Sequence, residues 1–157
     1  MSHHDGQLRA RLILKATVTD FEIEAAFQSL LDWLGRPYSH YVADNSISLA
    51  NHMLEILLDV RLSYSTDDVI RDLIANLHPL VDAPGCLEVY DFDTGDTESA
   101  VMPHFIGATP EDRAHAQVEY GILQAAEWLA PVLGNDAMQQ LEHTIRNLPV
   151  ISPTSSN

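Results

Sequence analysis

Two stretches of strict alternation limit the folds open to this chain. From Leu8 to Val18, the residues Leu8, Ala10, Leu12, Leu14, Ala16 and Val18 interleave with Gln7, Arg9, Arg11, Lys15 and Thr17, and Ile13 is the one exception. From Leu54 to Tyr64, the residues Leu54, Ile56, Leu58, Val60, Leu62 and Tyr64 alternate with Glu55, Asp59, Arg61 and Ser63. A period of two places every apolar side chain on one face of a strand, so both segments read as half-buried strands of a sheet with one wet face. The frame of alternation shifts near Asn51, which predicts a bulge, bend or break there.

Helices are expected between and after the strands. Thr19 or Asp20 caps a helix to Leu34 that carries Phe21, Ala25, Leu30 and Leu31, and Gly35 and Pro37 end it. Tyr38–Ala43 reads as a short strand, Asp44-Asn45 as a turn, and Ile47 and Leu49 as the start of a further extended segment. Ser65 or Thr66, followed by Asp67 and Asp68, opens a helix through Leu77. The runs 87–92 and 100–106 flank Asp93-Thr94-Gly95-Asp96 as a hairpin, with Pro103 placing the second run at a sheet edge. Thr109-Pro110-Glu111-Asp112 starts a helix to about Leu133, ended or kinked by Pro131, and a last helix spans Asp136–Leu148.

This order predicts an α+β fold: an antiparallel, ferredoxin-like sheet with helices on one face and a C-terminal helical extension. Residues 1–6 are expected to be a flexible N-terminus, 7–148 one domain and 149–157 a flexible tail. At 157 residues, with 46% apolar and 20% charged residues, one globular core is the natural outcome. No stretch approaches the roughly 18 consecutive apolar residues of a membrane span, and the first residues lack signal-peptide character. A single cysteine, Cys86, fits a reducing compartment, so the expected location is the cytoplasm.

Charge is the strongest functional signal. Twenty-three acidic residues face 8 basic ones, for a formal −15. One lysine and scattered arginines cannot neutralise a phosphate backbone, so direct nucleic-acid binding is excluded and a basic protein surface becomes the favoured partner. The densest acidic stretch, Asp82, Glu88, Asp91, Asp93, Asp96 and Glu98, has no basic residue between Arg71 and Arg113 and is the candidate partner-binding set. Its segment from Asp91 fails as a calcium loop: Gly95 falls one place early, and Met102 stands where a bidentate glutamate belongs.

No other motif assembles a catalytic or metal site. The eight histidines include no i, i+4 pair, so neither a metal nor a cofactor is expected. His52 with Glu55, and His104 beside Pro103, are the histidines best placed for a cleft. Cys86 with His104 across the hairpin forms the alternative site, that of a small enzyme or a ligand- or metal-binding domain, although acidic surroundings oppose a reactive thiolate. No phosphate-binding glycine loop is present. Helix 109–133 is apolar nearly all round, which makes a homodimer an expected outlet. In size and acidity the chain resembles small inhibitor proteins of mobile elements, including anti-restriction and anti-CRISPR proteins. That likeness, one of composition, implies a non-catalytic inhibitor or immunity-type factor acting on a nucleic-acid-handling protein.

Overall fold

The computed structural model describes residues 4–93 and 100–151. Five strands, β1 (His4–Ile13), β2 (Ile47–Ala50), β3 (Met53–Leu62), β4 (Gly85–Asp91) and β5 (Ala100–Ile106), form one open sheet in the order β2-β3-β1-β4-β5. Every neighbouring pair is antiparallel. Five helices complete this α+β fold: α1 (Asp20–Leu34), α2 (Tyr38–Ala43), α3 (Thr66–Leu77), α4 (Pro110–Leu133) and α5 (Asn135–Arg146).

Both alternating stretches become central strands, paired in a register that sets Leu8 opposite Leu58 and Leu12 opposite Leu54. Their apolar face, joined by Leu87 and Val89 of β4, packs against Ile23, Phe27 and Leu30 of α1 and Ile70, Leu73 and Leu77 of α3. These two helices also pack on each other, and Asn76 donates to the Ala26 carbonyl between them. Gly6 is required by close packing, since a Cβ there would stand 2.5 Å from Leu62 Cδ1 and 2.6 Å from the Tyr90 carbonyl oxygen.

Local signals set most helix ends. Thr19 and Glu22 form a reciprocal capping box, and so do Thr109 and Asp112, with Pro110 in the first turn. Gly35 takes φ 72° at the end of α1. At α3 the cap is displaced: Ser65 makes no capping bond, and the buried Thr66 hydroxyl accepts from Ser63 N–H and donates to the Arg61 carbonyl.

Several expectations need correction. Tyr38–Ala43 is a helical turn and a half rather than a strand, started by extended Pro37, and its Tyr41 is buried. The first strand begins at His4, earlier than the alternation indicated, and ends at Ile13, with Leu14 in an isolated bridge to Val81. The break expected near Asn51 is present, as a two-residue hairpin turn with Asn51 and His52 both at positive φ (52° and 62°). Pro103 does lie on an edge strand, β5, opposite Glu88.

The helices do not share one face. Tyr120 of α4 stacks edge-on against Phe105, at 5.7 Å between ring centroids. Phe105 pairs with Cys86, so it points away from the Leu87–Val89 face that α1 and α3 cover. Hence α4 lies over β4 and β5 on the second face, with α5 packed beside it, while among the described residues no helix packs over β1, β3 and β2 on that face. One sheet edge could not cover a 24-residue helix, and α4 buries only Ala116 and Ile122 fully.

Candidate functional site

The register of β1 gathers the acidic residues unevenly. Gly6 pairs with Asp91 and Gln7 lies opposite Asp59, so residues 50 or more positions apart in sequence meet at one end of the sheet. Phe92 N–H donates to the Asp5 carbonyl there, and Gln7 Nε2 donates to Asp59 Oδ1 at 2.6 Å. Asp91 Oδ1 accepts from Asp93 N–H at 3.0 Å, and His4 Nδ1 lies 3.7 Å from Asp91 Oδ1. The end of α1 reaches the same place because α1 returns antiparallel to β1.

Between them opens a concavity of about 730 Å³, lined by Asp5, Gly6, Trp33, Leu34, Asp59, Val60, Arg61 and Phe92. Its carboxylates are exposed, its floor is aromatic and aliphatic, and Phe92 is 46% exposed. Arg61 is the one cationic side chain among these lining residues.

The sequence-level acidic set is therefore divided. Asp91 and Asp93 belong to this sheet end. Asp82 sits at the opposite end of β4, its N–H donating to the Ile13 carbonyl, about 20 Å away at the usual rise of a strand. Glu88 lies between them on the second face, where it accepts from the Tyr90 hydroxyl at 2.7 Å under α4. Asp96 and Glu98 lie outside the described residues, as does the hairpin turn itself.

A smaller groove of about 400 Å³ runs along the second face, lined by Arg9, Ala10, Arg11, Ile56, Cys86, Glu88 and Tyr120. The Arg9 guanidinium lies 4.0 Å from the Tyr90 ring centroid, a cation–π contact. Burial, followed by neighbouring Glu88, pushes the Tyr120 hydroxyl up to about 12. Burial and Glu88 likewise push the Cys86 thiol up to about 11, so it stays protonated and is a poor nucleophile at neutral pH.

Cys86 and His104 do not form a shared cleft. His104 pairs with Leu87 and Cys86 with Phe105, so the two side chains point to opposite faces of the sheet. Burial lowers the His104 pKa, and Asp67 opposes that shift. His52 sits in the β2–β3 turn, where its carbonyl accepts from Leu14 N–H, and Glu55 pairs with Arg11 at 3.2 Å. Among the described residues, no three His, Cys, Asp or Glu side chains are placed to hold a metal ion, and no helix is long and apolar enough to cross a membrane.

Sequence reasoning missed Asp5, Asp59, Trp33 and Phe92 as one group. Only the β1–β3 and β1–β4 pairings bring them together, and no local spacing announces that. No family model matches the chain, and comparison with curated proteins and with solved structures returns no significant match.

Proposed function

We propose that this chain is a non-catalytic protein-binding factor, of inhibitor or immunity type, whose acidic sheet end occupies a basic surface on a nucleic-acid-handling protein. The observation that carries this reading is a concavity at the sheet end lined by Asp5 and Asp59 together with Trp33, Leu34 and Phe92, with Asp91 and Asp93 flanking Phe92 in the chain. An arginine or lysine of the partner suits such a site: its aliphatic stem packs on the rings while its charged head meets the carboxylates. The −15 charge supports it further, because a complementary field speeds encounter with a basic partner and repels nucleic acid.

The β1-α1-β2-β3-α3-β4 portion, with spatial order β2-β3-β1-β4, supports reading a ferredoxin-like core to which β5, α4 and α5 add a C-terminal extension. The single half-buried cysteine suits a cytoplasmic location. A second reading, ligand binding in the 400 Å³ groove, rests on Arg9, Glu88 and Tyr120 there, and retains Cys86 as a lining residue without His104.

The test is affinity capture from host lysate with the purified chain, compared with a variant carrying Asp5→Asn, Asp59→Asn, Asp91→Asn and Asp93→Asn. A basic protein retained at low salt, released as salt rises and lost with the variant is expected. Equal retention by both proteins would sink the reading.

A further inference from the structure

The second face of the sheet changes character between β4 and β1, where the cover of α4 ends. Along that line runs the groove of about 400 Å³, with Tyr120 of α4 on one side and Arg9 and Arg11 of β1 on the other. A volume of that order suits a small molecule.

The charges that line the groove are not equally satisfied. Arg11 Nε lies 3.2 Å from Glu55 Oε1, so that cation is neutralised. Arg9 and Glu88 stand directly opposite each other on β1 and β4. Among the described residues, however, neither enters an ion pair, with the other or with any third residue. Tyr90, two residues along β4 on the same face, occupies both of them. Its ring lies under the Arg9 guanidinium, 4.0 Å from the centroid, and its hydroxyl donates to Glu88 Oε2 at 2.7 Å. Arg9 Nε donates to Gln7 Oε1, and the terminal guanidinium nitrogens make no hydrogen bond among the described residues. A carboxylate offers about four acceptor sites, of which the Tyr90 hydroxyl takes one at Glu88.

One unpaired cation and one unpaired anion in a single groove select a ligand that carries both charges. A simple anion drawn to Arg9 meets Glu88 as a like charge and is repelled by the −15 of the whole chain. A simple cation drawn to Glu88 meets Arg9 in the same way. A zwitterion escapes both penalties, since each of its ends meets the opposite charge and its net charge is zero. The rest of the lining is uncharged and partly apolar. Ala10, Ile56 and the Tyr120 ring contribute to it, and the Tyr120 hydroxyl and Cys86 thiol, pushed up to about 12 and about 11, stay protonated at neutral pH.

We infer, resting on the second reading above of ligand binding in this groove, that it takes a free α-amino acid with an apolar side chain. The carboxylate of the amino acid meets Arg9, its ammonium meets Glu88, and its side chain lies against Tyr120.

Free phenylalanine, titrated into the isotope-labelled full chain and followed by NMR, tests this. Shifts confined to Arg9, Ala10, Cys86, Glu88 and Tyr120, saturating at roughly millimolar concentration, are expected. N-acetylphenylalanine lacks the cation and phenylalanine methyl ester lacks the carboxylate, so each should bind the groove about tenfold more weakly or worse. Glu88→Gln keeps an acceptor for the Tyr90 hydroxyl; it should weaken phenylalanine to a similar degree and abolish the discrimination against N-acetylphenylalanine. The variant with Asp5, Asp59, Asp91 and Asp93 changed to Asn leaves the groove intact and should bind phenylalanine as the parent chain does, so the acidic-end reading and this one fail separately. Absence of groove shifts in the folded chain, equal binding of the N-acetyl compound, or undiminished binding by Glu88→Gln would overturn the proposal.

Discussion

The two faces of the sheet share the same strands yet follow different rules. On one face Leu8, Leu12, Leu54, Leu58 and Leu87 are fully buried under α1 and α3, together with Phe27. One residue along each strand, Arg9, Arg11, Glu55, Asp59 and Glu88 point the other way, where α4 covers β4 and β5 and no other described helix packs. The difference teaches that a step of a single residue separates what holds the fold together from what is free to recognise a partner. Gly6 belongs to both: it packs tightly against Leu62 and it lines the acidic concavity.

The comparison breaks most severely if the covered face is emptied. Phe27→Ala leaves a cavity between α1 and the sheet and should cost about 3–5 kcal/mol, read from the midpoint of urea unfolding. A loss below about 1 kcal/mol would mean that this face is not the core. Gly6→Ala forces a methyl group against Leu62 and the Tyr90 carbonyl and should cost about 1–3 kcal/mol by the same measurement.

A pH titration sharpens the contrast. Burial, with Arg113 contributing, lowers the His78 pKa, and burial lowers that of His104 below the ordinary 6.5. The unfolded chain then binds protons that the folded chain refuses, so stability should fall as pH drops below about 6.5. His78 also accepts from Gly107 N–H at 3.4 Å, a bond that protonation of the accepting nitrogen removes. A His78→Asn, His104→Gln double variant should flatten this step in urea midpoints taken across the pH range. Below about pH 4.5, Glu22 and Glu119 add a further loss: hydrogen bonds from Thr19 and from Arg146 lower their pKa values. The smallest effect belongs to Leu57→Ala on the open face, where a side chain 55% exposed should change stability by no more than about 0.5 kcal/mol.

What could be read from residues alone follows the same division. Alternation exposed the core face because burial imposes a period of two on β1 and β3, and the caps at Thr19 and Thr109 marked two helices by local hydrogen-bond chemistry. Tyr38–Ala43 misled because six residues, Tyr38, Ser39, His40, Tyr41, Val42 and Ala43, are too few to show a period, so they fit a strand as well as a short helix, and contact of Tyr41 with the core decides between them. The placement of α4 on the second face was invisible, since a helix pattern says which side is apolar and not which sheet face it meets. The acidic concavity was not legible: Asp91 and Asp93 stood in a dense local stretch but only flank it, whereas Asp5 and Asp59, which line it, are brought together by the β1–β3 register. Cys86 and His104 failed as a pair for the same reason, one residue of register placing them on opposite faces.

The most direct test of the central claim is a titration of the isotope-labelled chain with a short arginine-rich peptide, followed residue by residue by NMR. Shifts concentrated at Asp5, Asp59, Asp91, Phe92 and the Trp33 indole, fading as salt rises, are the predicted result. Shifts spread evenly over the acidic surface, Asp82 and the helices included, would contradict a dedicated recognition site at the sheet end.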